Sequence, residues 1–256
     1  MNAAVRLGLA AALGNALSLS GPARAAAAVA VRRVDTAQPV VALTFDACPT
    51  RPSPEGFDHD IFDFLRRERI PATVFVSGQW VLAHPGEAAA LAHEPLIELG
   101  NHTFSHPPLS RLSPARLQAE IGATDRLIEG LGRHSVGVRP PFGDWSPPVL
   151  EETNHQPLVL WDVVSGDAGG RIPADRIIEE VSRRTKPGSI VIFHINGRGP
   201  QTKFALPEIV HRLRARGLRF VHISELLALP DAVVVEAQAG RDTAVKHPYI
   251  PAYECD

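Results

Sequence analysis

The sequence predicts an α/β fold in which parallel strands form a barrel with helices outside it. Three observations point there. Short apolar runs rich in β-branched residues alternate with helix-like stretches from Val40 to about Leu227. The Gly-rich turn expected after the first strand of an open nucleotide-binding sheet is absent, and Thr44-Phe45-Asp46-Ala47-Cys48 stands in its place. Residues able to do chemistry follow several different strands, which suits an active site at the C-terminal ends of barrel strands.

The elements follow in order. Val40 to Phe45 reads as a buried strand, and Ile61 to Arg67 as a helix with Ile61, Phe64 and Leu65 on one face. Ala72 to Ser77 is a second strand, Pro85 to His93 a helix, and Leu96 to Leu99 a short strand. Ser113-Pro114 starts a helix that runs to about Leu131, with Ser as cap and Pro in the first turn. Val136 to Val138 is a strand entering Arg139-Pro140-Pro141-Phe142-Gly143. A helix starts at Ser146-Pro147-Pro148, and Leu158 to Val163 is the next strand. A helix from Pro173 ends near Lys186-Pro187-Gly188, followed by the strand Ile190 to Phe193. Leu206 to Arg216 is a helix closed by Gly217, Arg219 to His222 a strand, and Ser224 caps a short last helix. From Asp231 the pattern fades into an expected irregular tail.

Composition bounds the function. The chain has 256 residues, 45% hydrophobic and 21% charged, enough for one domain with a sizeable core. A net charge of −2 provides no basic field for nucleic acid. Arg6, the apolar run Leu7 to Leu19 and Ala23-Arg24-Ala25 read as a signal peptide over residues 1–25. The run is short for a membrane span, so the mature chain is expected to be exported to a periplasm or secreted, with no span of its own. Residues 26–39 form an N-terminal segment, 40–230 the catalytic domain and 231–256 the tail. Cys48 and Cys255 are the only cysteines; an exported chain could pair them, and two plain thiols are the alternative.

The most informative stretch is Asn101-His102-Thr103-Phe104-Ser105-His106. Imidazoles four residues apart, in a turn or first helical turn, point the same way and can ligate one divalent cation. Asp46, Arg139 and His194 follow other strands, so acid, guanidinium and imidazole gather at successive strand ends.

Taken together, Thr44-Phe45-Asp46, His102-x-x-x-His106, Arg139-Pro140-Pro141-Phe142-Gly143, the Trp161 to Asp167 stretch and Ile192-Phe193-His194 resemble the polysaccharide deacetylase family. The resemblance covers roughly Val40 to Leu227. It implies a distorted (β/α) barrel of about seven units and hydrolysis of N- or O-acetyl groups on glycans with a divalent metal, most often zinc. It also implies roles. Asp46 is the general base and His194 the general acid. Arg139 pairs with Asp46, Asp167 hydrogen-bonds His194, and His102 and His106 hold the metal. Substrate contacts are expected from Trp145, Pro140, Ile192 and Arg198, with Trp145 preferred over Trp161 as a sugar-stacking platform. The other histidines, including His59, His84, His93, His134 and His211, read as surface residues.

The chain departs from the family's Thr-Phe-Asp-Asp-Gly, whose second Asp is the third metal ligand. Ala47 and Cys48 occupy those two places. A carboxylate from Asp58 or Asp60 is the preferred substitute; two protein ligands plus water, and loss of the metal, are the other outcomes. Cys48 as a soft ligand is a less favoured reading. Ala168 stands where the family commonly has Trp, which implies a roomier acyl pocket. Ala47 keeps one rival function open, a hydrolase of a non-glycan C–N bond without a firmly held metal. A second rival is an inactive carbohydrate-binding relative that holds sugar with Trp145 and the barrel mouth, against which the retained Asp46 and His194 argue.

Overall fold

The computed structural model describes residues 29–49, 56–153, 155–169 and 172–239. The expected signal peptide and Cys255 lie outside these residues. Among the described residues no helix is long and apolar enough to cross a membrane.

The core is a parallel sheet built on β2 (Val40–Ala47). On one side of β2 lie β3 (Ala72–Val76) and then β4 (Ile97–Asn101); on the other lie β7 (Ile190–His194) and then β6 (Val163–Val164). The short β8 (Arg219–Phe220) also pairs with β2. β2 is buried along its whole length, as expected of a parallel strand covered on both faces. The two faces separate cleanly by period-two alternation. Val41, Leu43, Phe45 and Ala47 join the main apolar core under the helices, with Val191 and Phe193 of β7. Asp46 and, from β7, Ile192 and His194 face the other way and line a cleft. Phe45 and Phe193 are partners in register, with ring centroids 5.5 Å apart; burial of each contributes about 1.5–3 kcal/mol.

Helices connect the strands from outside: α1 (His59–Arg67), α2 (Gly78–Ala83), α3 (Pro85–His93), α4 (Pro114–Gly130), α5 (Pro147–Glu151), α6 (Ala174–Arg184) and α7 (Thr202–Ala215). The short α8 (Ile223–Leu227) docks on the sheet interior: Ile223 N–H donates to the Thr73 hydroxyl and Ser224 N–H to Glu98, which also accepts from Thr73.

The barrel is distorted and its ladder is not closed. Val138 forms only isolated bridges, to Asn101 and to Leu158. The stretch expected as one strand, Leu158 to Val163, splits into β5 (Leu158–Val159) and β6. β5 pairs with β1 (Ala30–Asp35), whereas β6 pairs with β7. At the break, the carbonyls of Val159 and Leu160 accept from the Arg139 side chain instead of from a strand.

Several boundaries differ from expectation. The tail is not irregular from Asp231: β9 (Val233–Glu236) runs antiparallel to β1, giving the small sheet β5-β1-β9. α7 begins at Thr202 rather than Leu206 and carries Pro207 inside it. Ser113 occupies the cap position of α4, but its side chain makes no capping bond.

Candidate active site

Asp46 and His194 are partners in register on β2 and β7, so the sheet sets them side by side at the C-terminal strand ends. Arg139 is fully buried and its Nη1 donates to Asp46 Oδ1 at 2.8 Å. The guanidinium stacks over the Phe75 ring at 4.0 Å and lies 5.5 Å from that of Trp161. Gly100 makes room for this arrangement, since a Cβ there would sit 2.4 Å from the Phe75 ring. Burial pushes the Asp46 carboxyl upward, but Arg139, His102 and His194 together outweigh it, and the group stays below the usual carboxylate range. Burial likewise pulls Arg139 below its ordinary value, opposed chiefly by Asp46.

The two imidazoles meet by a route other than helical spacing. His102–His106 is a loop, and Thr103 and His106 hold left-handed backbone at φ 63° and 61°. Such residues cost on the order of 1–3 kcal/mol each and persist only where their surroundings fix them. Asn101 Oδ1 accepts from Thr103 N–H, while Asn101 Nδ2 donates to the Ile121 carbonyl and Asp125. Glu120 of α4 accepts from the amides of Phe104 and Ser105 and from the Ser105 hydroxyl. The result places His102 Nε2 and His106 Nε2 3.1 Å apart. Phe142, also left-handed at φ 60°, packs edge-on against His106.

His102 Nδ1 lies 2.8 Å from the Arg139 carbonyl, which can only accept; Nδ1 therefore carries the proton and Nε2 a lone pair. Burial lowers the His102 pKa to about 4, so the ring is neutral near pH 7. A neutral lone pair aimed at a second imidazole nitrogen is a donor pair that suits a divalent cation, and Asp46 Oδ2 lies 3.4 Å from His102 Nε2 beside it. His106 Nδ1 is buried with no hydrogen-bond partner among the described residues.

The third position differs from expectation. Asp58 is the N-cap of α1 and accepts from Asp60 N–H and Ile61 N–H; Asp60 is exposed and paired with Lys203 at 2.8 Å. Helix capping and this ion pair engage both carboxylates away from the imidazoles. Ala47 lies on the helix-facing side of β2, within the apolar core. Among the described residues, the group with ligand atoms mutually within 4.8 Å is Cys48, His102 and His106, all buried.

On the opposite wall, Asp167 Oδ1 lies 2.9 Å from His194 Nδ1 and accepts from the Ser165 hydroxyl. Its Oδ2 accepts from His194 N–H and the Thr202 hydroxyl. The cleft is also lined by Phe142, Trp161, Ala168, Ile192 and Arg198. Trp145 and Pro140 do not line it. Trp145 is buried in an apolar cluster with Leu109, Leu117 and Val149, away from the cleft, whereas Trp161, packed against the edge of the same cluster, lines the cleft. Of the histidines expected at the surface, His84 is half-buried and stacks on Trp80. Sequence reasoning missed Glu120, Ser165 and Thr202, which support the site from a distance and carry no local signal. Phe142 was visible in its motif but had no assigned role.

A buried carboxylate–guanidinium pair, a carboxylate-backed imidazole and facing imidazoles at parallel strand ends define a hydrolytic class of site. The sequence pattern of the family described as polysaccharide deacetylase matches residues 33–161, a span that includes Asp46, His102, His106 and Arg139 and ends before Asp167 and His194. The chain is 33% identical over 206 residues to a chitooligosaccharide deacetylase of Bradyrhizobium sp. (strain ANU 289), covering 73% of this chain and 90% of that relative. The crystal structure of a peptidoglycan N-acetylglucosamine deacetylase in complex with an N-hydroxybenzamide compound superposes with a TM-score of 0.70 at 28% identity, covering 76% of this chain and 91% of the other. A Bacillus anthracis protein described as a CE4 family pseudoenzyme superposes at 0.69 with 25% identity, covering 77% and 68%. The chain belongs to the polysaccharide deacetylase family.

Proposed function

We propose that this chain is an exported, metal-dependent deacetylase of N-acetylhexosamine glycans, with O-acetyl groups as alternative substrates. The observation that carries the reading is the registered pair Asp46–His194, set beside facing imidazoles at the mouth of one cleft. His102 and His106 would hold a divalent cation, zinc in this reading, which when bound would supply polarisation of the acyl carbonyl and acidification of the attacking water. Asp46 accepts the proton of that water, and Arg139 keeps its carboxylate ionised and aimed. His194, with Nδ1–H held by Asp167, delivers a proton from Nε2 to the departing amine or alkoxide. Ile192 and Ala168 bound the acyl group, Trp161 offers a ring face to sugar, and Arg198 a cation to an anionic substituent. The apolar N-terminal run and relatives named for chitooligosaccharide and peptidoglycan substrates support export and a glycan substrate.

Acetate release from N-acetylated chitooligosaccharide and from peptidoglycan tests the reading. Activity is expected to vanish with a chelator or in His102→Ala, and to return to the wild-type chain on adding zinc. Undiminished turnover under chelation refutes metal dependence. Ala47 and the likeness to a pseudoenzyme favour one rival, a glycan-binding relative without catalysis. Sugar binding with no acetate released under any metal would establish it.

A further inference from the structure

We propose that Cys48 Sγ is the third protein ligand of the cation site, completing a set of one thiolate and two imidazoles in place of the carboxylate that Ala47 lacks. The inference rests on the metal-dependent reading above and specifies the ligand within it. Strand alternation turns Ala47 toward the helices, and the chain leaves β2 at Cys48, which is 1% exposed and lines the cleft. Asn196 Nδ2 donates to the Cys48 carbonyl at 2.9 Å, anchoring this turn to the end of β7. The ligand atoms of Cys48, His102 and His106 already lie within 4.8 Å of one another. Tetrahedral zinc with nitrogen and sulfur at their usual bond lengths needs donor separations of about 3.3–3.7 Å, so closing the set requires a shift of at most about an ångström.

On binding, the thiol releases its proton to solvent and the thiolate lone pair forms the bond to the cation. The protein then contributes one negative charge, as a carboxylate with two histidines would, so the charge balance for hydrolysis is kept. The donor is softer, which favours zinc or cobalt over magnesium, manganese or calcium. Cys48 thus replaces the missing acid in charge but not in metal preference.

Cobalt(II) substitution of the full-length chain tests this. Wild-type protein is expected to show a near-ultraviolet thiolate-to-cobalt charge-transfer band in addition to visible d–d absorption. Cys48→Asp should lose the band but still bind cobalt, and Cys48→Ala should lose the band and bind zinc at least about tenfold more weakly. Cys255→Ala should keep both. Bound cobalt without the band in the wild type overturns the proposal while leaving the metal-dependent reading intact. A wild-type chain that binds no cation overturns both. Absence of the band in cobalt-loaded wild type overturns the proposal by itself, and its presence in both wild type and Cys255→Ala assigns it to Cys48, so a Cys48 variant that fails to fold does not block the test.

Discussion

Asp167 gathers the His194 ring, the His194 amide and the hydroxyls of Ser165 and Thr202 around one carboxylate. In the proposed mechanism its charge keeps the proton on His194 Nδ1 and supports the imidazolium that gives up its Nε2 proton to the leaving group. Asp167→Asn keeps the volume but presents an amide in place of one carboxylate oxygen, which lets the ring reverse its tautomer. We predict a fall in kcat of about 10²–10⁴-fold with little change in KM, measured by steady-state acetate release. Much of the site was legible at this scale because Asp46, His102, His106, Arg139 and His194 each sit in a short contiguous motif. Which tryptophan faces the cleft was not legible. Trp145 follows one motif and Trp161 opens another, and only packing buries the first within the cluster while leaving the second partly buried with a face to the cleft. The same applies to Asp58 and Asp60, whose capping and ion-pair partners come from folded surroundings.

At the scale of elements, α4 acts as the brace of the imidazole loop. Glu120 satisfies successive loop amides, and Arg116 one turn earlier pairs with its outer oxygen. Nothing near His102 in the sequence announces this, since the contact spans the start of a separate helix. Glu120→Ala removes the acceptors that hold Phe104 and Ser105, and the left-handed residues Thr103 and His106 lose their restraint. We predict zinc affinity weaker by about 10–100-fold in a competitive chelator titration, with helical circular dichroism retained. Wild-type affinity in the variant would show that the loop holds its shape without the brace. Strands β2, β3, β4 and β7 were readable from their apolar runs. β1 was not, because Arg32 and Arg33 interrupt its pattern. β9 is short and half-exposed, and α2 opens on Gly78, so neither presents a periodic signal.

For the molecule as a whole, the buried site ties stability to pH. His102 has a folded pKa of about 4 against an ordinary 6.5, so between these values the unfolded chain binds a proton that the folded chain refuses. Stability therefore falls as pH drops from about 6.5 to 4, by on the order of 3 kcal/mol. Asp46 is depressed too, and its contribution, present above its unfolded pKa, is lost in turn as pH falls through its folded value. We expect the urea midpoint of metal-free protein to decline across that window, and the decline to flatten in His102→Gln. An unchanged slope in that variant would assign the acid sensitivity elsewhere. That the strands run parallel was legible from alternation of strand and helix; the failure to close was not, because the Leu158 to Val163 run looks like any buried strand. Its interruption has a further meaning. A regular strand would commit the carbonyls of Val159 and Leu160 to neighbouring amides, and the guanidinium now seated on them would lose its perch. The gap in the wall is thus the socket of the arginine, and any redesign that straightened it would evict the residue that steadies Asp46.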